Sequence, residues 1–150
     1  MQAILAALST SPTKVTSQSN LAQCLSYLTT HARRSSVIFI VSDFFTPPFE
    51  RELQVLCRNH DVVLVQLEIP FASVANSGLV TFADAESGQR ILLDTSSRRV
   101  QEGWDAALVT KRTQLKQLAR SCGADHITIS DSATRPLIQL MRERALQQPR

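Results

Sequence analysis

The chain of 150 residues reads as an α/β protein, a three-layer open sheet that is mainly parallel, with an added β-hairpin. Three observations predict this. Short apolar runs rich in β-branched residues stand at 36–42, 62–68 and 126–130, the composition of strands inside a parallel sheet. Between them lie longer stretches whose apolar residues recur at helical spacing. Two segments that alternate moderately, 79–82 and 90–93, flank the turn-forming DAESGQ at 84–89.

Taken in order, residues 2–9 predict a short helix with Ile4, Leu5 and Leu8 on one side. Ser9 to Asn20, rich in Ser and Thr and holding Pro12, is a loop. Leu21, Cys24, Leu25 and Leu28 then fall at i, i+3, i+4 and i+7, a helix capped by Ser19 or Asn20 and ending near Ala32. The run SVIFIVSDFFT follows, and its lack of alternation predicts a strand buried on both faces. Pro47-Pro48 prevent immediate helical continuation. Phe49, Leu53, Leu56 and Cys57 form the next helical stripe, ending near Asn59, and DVVLVQLEI at 61–69 is the second core strand. Strand, helix and strand with short joints predict a parallel βαβ unit.

Pro70 to Ser77 is irregular, and in the hairpin that follows Gly88 takes the turn. The longest helix is expected from Ser97 to Cys122, with Val100, Trp104, Leu108, Leu115, Leu118 and Cys122 inward and Gly123 as its stop. HITIS at 126–130 is the third core strand, and a last helix near 134–146 carries Leu137, Leu140 and Met141 inward. With no repeat and no internal linker, residues 1–150 make one domain.

Composition narrows the function. At 43% hydrophobic the chain can bury a core, and a net charge of +3 is only mildly basic. No Lys/Arg run is interleaved with aromatics, and aromatics are 5% of the residues, which argues against nucleic acid. No apolar run approaches a membrane span, and the first residues carry no cationic region of a signal peptide. Cys24, Cys57 and Cys122 are too widely spaced for a metal site or a disulfide framework. Each lies on an apolar stripe, so buried free thiols and a reducing, cytoplasmic setting are expected.

Motifs for chemistry are few. His31, His60 and His126 stand in no HxxxH or HExxH frame, and no phosphate-cradling glycine loop or GxSxG occurs. Asp43 closes the first core strand, and open α/β sheets bind ligands beyond the carboxyl ends of their strands. The plainer reading of Asp43 is a carboxylate that caps its own turn. Asp43, Glu68 and Asp131 would end three adjacent strands, which opens a metal-assisted phosphoryl-transfer or hydrolytic enzyme as the alternative function. Against it stands the reading of Glu68 as a loop charge and Asp131 as a helix N-cap.

Several motifs together resemble the bacterial domain of unknown function 58 family. They are Ser42-Asp43-Phe44 at a strand end, Asn59-His60-Asp61-Val62 at a strand start, and the hairpin set Gly78, Asp84, Glu86-Ser87-Gly88 and Asp94-Thr95. The resemblance covers roughly residues 1 to 145. It implies a von Willebrand factor A-like, Rossmann-like fold, of which this chain is the C-terminal portion. It also implies a metal-ion-dependent adhesion site for Mg²⁺, in which Asp43 matches the separate Asp ligand and Ser19 the separate Thr or Ser. Ser42, Phe44 and Phe45 flank that site as binding residues. The DxSxS element of such a site is missing and is expected before residue 1, so the metal site is partial, and the family's Asp-Pro-x-Glu is degraded to Glu68-Ile69-Pro70-Phe71.

The resemblance therefore implies a non-enzymatic interaction module with a protein partner, a MoxR-type AAA+ ATPase. It also implies that the strand at 36–42 lacks a neighbour on one side. No Lys, Pro or charge protects it between Val37 and Val41, so a homo-oligomer through this strand, or by exchange of the N-terminal segment, is expected. The rival is a monomer in which residues 1–20 fold back over the edge.

Overall fold

A computed structural model describes residues 20–32, 34–70, 75–83 and 89–147. The elements run α1 (Leu21–His31), β1 (Val37–Ser42), α2 (Glu50–Cys57), β2 (Asp61–Leu67), β3 (Leu79–Ala83), β4 (Arg90–Asp94), α3 (Arg98–Cys122), β5 (Asp125–Ile129) and α4 (Thr134–Gln147). β1, β2 and β5 form a parallel sheet in the order β1-β2-β5, and β3 and β4 form an antiparallel pair. The predicted α/β architecture with its hairpin is the one observed. The expected helix at 2–9 and the hairpin turn with Gly88 lie outside the described residues.

β2 is the central strand, and every residue from Val62 to Gln66 is buried. Its alternation sends Val62 and Leu64 to one face and Val63 and Val65 to the other. On the first face Ile40 of β1 joins them, and Leu25 of α1, Leu53 and Leu56 of α2 and Leu115 and Ala119 of α3 cover the sheet. On the second face Leu140 of α4 packs over Val63, Val65, Ile127 and Ile129. α4 is clamped at its far end by Arg144, whose guanidinium donates to Asp61 at 2.7 and 2.8 Å and to Asp125 at 2.7 Å. Those two carboxylates begin β2 and β5, so one side chain ties the helix to both strand starts.

Local chemistry sets the boundaries. Asn20 caps α1 by accepting from the Gln23 N–H at 3.0 Å. Gly123 ends α3 at φ 76, with its N–H on the Arg120 carbonyl and the Ala124 N–H on the Ala119 carbonyl. A Cβ at Gly123 would meet no atom within 4 Å, so only the left-handed backbone resists substitution. Gly123→Ala is expected to cost about 1 kcal/mol, seen as a lower urea midpoint at unchanged slope. In the hairpin, fully buried Thr95 donates from Oγ1 to the Gly78 carbonyl at 2.8 Å and accepts from the Ser77 N–H at 3.0 Å. Phe82 lies against Trp104 with ring centroids 5.5 Å apart, which seats the hairpin on the first half of α3.

Three expectations need correction. β1 is not buried on both faces: Ile40 is in the core, but Val37, Phe39 and Val41 are 53%, 42% and 58% exposed. β1 has one strand neighbour among the described residues, and α4 covers only the β2 and β5 part of the second face. The cysteines are free, but Cys24 is exposed and Cys57 and Cys122 are only part-buried. Burial, and after it Cys122 and Asp61, push the Cys57 thiol up to about 11, so it stays protonated and unreactive at neutral pH. Met141, expected inward, is exposed, because its neighbour Leu140 takes the sheet-facing position.

Candidate functional site at the carboxyl end of the sheet

The last turns of β1 and β2 and the middle of α3 enclose a cleft of about 900 Å³. Asp43, Phe44 and Phe45 form one wall, Gln66 to Ile69 the floor, and Trp104, Leu108, Lys111 and Gln114 the other wall. α3 makes this possible by its length. Its second half is anchored in the core by Leu115 and Ala119, and its first half runs on past the strand ends.

The loop after β1 is built by its own side chains. Ser42 Oγ accepts from the Phe44 N–H at 3.0 Å, and Asp43 Oδ1 accepts from the Phe45 N–H at 2.9 Å. The backbone turns sharply there, with Phe44 at φ 57, a left-handed conformation that a bulky residue adopts only under constraint. The turn separates the two phenylalanines. Phe44 is buried and stacks on Phe49 at 5.8 Å, whereas Phe45 is 68% exposed. Of the residues expected to bind, Phe45 is exposed, Phe44 is buried against Phe49, and Ser42 accepts a hydrogen bond within the turn.

Lys111 reaches across from α3 and places its ammonium over the Phe45 ring. Burial lowers its pKa to about 8, against the opposing pull of the Asp43 carboxylate. The ring face also favours the charged form, so the desolvation is the stronger effect. Next to it, Arg112 holds the buried Glu68 side-on through one edge of its guanidinium, Nε donating to Oε1 at 3.1 Å and Nη2 donating to Oε2. Glu68 is thus buried and paired with Arg112. His126 on β5 meets the buried Gln66 side chain at 2.9 Å, and burial, with Lys116 and Arg112 nearby, holds its pKa below the usual histidine value.

Asp43 and Glu68 both line the cleft, while Asp131 is exposed two residues past β5 and outside it. Among the described residues no group of three or more His, Cys, Asp or Glu side chains is placed to hold a metal ion. Ser19 lies outside the described residues.

Lys111 and Arg112 were not singled out from the sequence. Their signal was a gap: between Leu108 and Leu115 the inward stripe of α3 skips the i+3 and i+4 positions, and Lys111 and Arg112 fill them.

The family model described as protein of unknown function DUF58 matches residues 1–114. The chain belongs to that family. The DUF58 match takes in the strand-end loop, Glu68, Lys111 and Arg112, and so the two facing walls of the cleft. It stops short of the end of α3, of β5 and of α4, whereas the resemblance read from the sequence covers roughly residues 1 to 145. Comparison with curated proteins and with solved structures gave no match. No helix among the described residues of this DUF58 chain is long and apolar enough to cross a membrane.

Proposed function

We propose that this chain is a non-enzymatic protein-interaction module that grips an apolar side chain with a neighbouring carboxylate on its partner. The observation that carries this reading is the cleft. Its walls are mostly apolar, and its mouth presents one exposed aromatic, Phe45, beneath one partly desolvated cation, Lys111. Buried aromatics and fully desolvated charges are the groups that dominate protein interfaces. A partner carboxylate would draw Lys111 from the Phe45 ring and leave the ring free to pack. The parallel sheet supports, beyond the family itself, a von Willebrand A-like reading in which this chain is the C-terminal portion and the strand-end loop its adhesion face. On that reading the partner is a MoxR-type AAA+ ATPase, and Asp43 with Ser19 would contribute to an Mg²⁺ site completed by other residues.

The test is binding of a purified MoxR-type ATPase, with turnover of a generic phosphate ester measured in parallel. Phe45→Ala and Lys111→Gln are each expected to weaken binding about tenfold or more. Turnover that disappears in Asp43→Ala would instead establish the hydrolytic alternative. The pH dependence follows from Lys111. Its charge is lost as pH rises through about 8, so affinity is expected to fall between pH 7 and 9, and to be flat there in Lys111→Gln. The stability effect has the opposite sign. The unfolded lysine, near 10.4, takes up its proton at higher pH than the folded one, so the fold gains stability as pH rises from about 8 to about 10.

A further inference from the structure

We propose that the groove between the second half of α3, β5 and α4 is a second binding site, one that holds a phosphoryl group through Lys116, Arg120 and Arg135. The groove shares no lining residue with the strand-end cleft, so the proposal does not rest on the reading of that cleft.

The groove encloses about 540 Å³. Lys116 and Arg120 line it from α3, His126 and Thr128 from β5, and Arg135 and Glu143 from α4. Helical spacing gathers the first two cations. Arg112, Lys116 and Arg120 fall at i, i+4 and i+8, one stripe of α3. Arg112 is paired with Glu68, but no Asp or Glu occurs from 111 to 122, and among the described residues neither Lys116 nor Arg120 has an ion pair. Like charges one turn apart repel, and nothing among the described residues relieves them. The helix C-terminus accounts for Arg120, but not for Lys116. Arg135 adds a third cation from the first turn of α4, where the helix dipole disfavours a cation and favours an anion. Of the two carboxylates that line the groove, Asp125 is tied to Arg144, and Glu143 accepts from Gln139 at 2.9 Å. The groove therefore keeps an excess of positive charge.

His126 senses that excess. Its Nε2 donates to Gln66 Oε1 at 2.9 Å, so Nδ1 is the nitrogen that takes up a second proton. Burial holds the pKa low, and Lys116 and Arg112 act in the same direction against Glu68. An anion on Lys116 would cancel the push of that lysine and raise the His126 pKa.

The class of anion follows from the donors. Arginine forks match phosphate oxygens and lysine serves them as a point charge, and three cations suit a dianion better than a carboxylate. No aromatic ring lines the groove among the described residues, so a nucleobase would find nothing to stack on. The phosphoryl group is thus that of free phosphate or of a monoester on a polar carrier.

NMR of the full chain tests this. The imidazole signals are followed at neutral pH and constant ionic strength while inorganic phosphate or glycerol phosphate is added, with His126 assigned from His126→Gln. The expected result is a saturable shift of His126 with a Kd of about 1 mM or lower, while His31 and His60 stay in place. At saturation the His126 pKa is expected to rise by about half a unit or more. Saturation by either probe supports the site, and the tighter of the two identifies the source. Lys116→Gln and Arg135→Gln, on opposite walls, are each expected to weaken binding about threefold or more, and together about tenfold or more. Both positions are exposed, and an unchanged urea midpoint shows that the fold is kept. Arg98→Gln removes a charge from the far end of the same helix and is expected to leave the Kd unchanged. The proposal is overturned if neither probe gives a saturable shift by ~20 mM. It is equally overturned if Arg98→Gln weakens binding as much as Lys116→Gln does, or if His126 responds alike in the unchanged chain and in the double variant.

Discussion

Arg112→Met is expected to lower the stability of the fold by about 3 kcal/mol, at the low end of what breaking a buried ion pair costs. The Glu68 side chain is only 3% exposed, and both of its carboxylate oxygens accept from Arg112. Methionine keeps much of the arginine stem but leaves that charge uncompensated beside the apolar floor of the cleft. Arg112 is itself 48% exposed, so water reaches part of the vacated space and moderates the loss. In a chain of this size the change corresponds to a melting point lower by about 10 °C. Adding Glu68→Gln to Arg112→Met removes the orphaned charge and is expected to recover part of the loss. A single-variant effect below about 1 kcal/mol, with no recovery in the double variant, would mean that the pair behaves as an exposed one.

This pair also shows where a sequence stops being legible. Glu68 and Arg112 are 44 positions apart, and nothing local to either residue announces the other. The elements themselves were readable because each rests on local periodicity. The stripe of α1, the Pro47-Pro48 break before α2 and the left-handed stop at Gly123 all act within a few residues. Burial was less readable. An uninterrupted apolar strand has the same composition whether or not a neighbour covers its second face, so β1 could not be distinguished from a covered strand. Cys24 shows the same limit on a helix. It shares the apolar stripe of Leu21 and Leu25, but among the described residues Leu25 is the one that reaches the core and Cys24, on the flank of the stripe, is exposed. Of the site, Asp43 was readable from its place at a strand end, where its carboxylate caps the turn and it lines the cleft.

Phe44→Ala is expected to destabilise the fold by about 3 kcal/mol and to weaken partner binding, although Phe44 itself faces the core. The ring is 6% exposed and stacked on Phe49, so truncation opens a cavity beneath the strand-end loop. Its neighbours in sequence, Asp43 and Phe45, are positioned by the turn that the buried ring anchors. The backbone makes the result diagnostic. Phe44 sits at φ 57, which costs an L residue about 1 kcal/mol that glycine does not incur. At most positions glycine is less stable than alanine because the unfolded chain gains freedom. Here the left-handed turn offsets that difference, so Phe44→Gly is expected to be at least as stable as Phe44→Ala. Urea unfolding of the two variants decides it. If alanine is the more stable by about 1 kcal/mol, the ordinary difference between the two residues, the turn relaxes once the ring is gone. The strain would then be a consequence of core packing and not a property of the loop that presents Phe45.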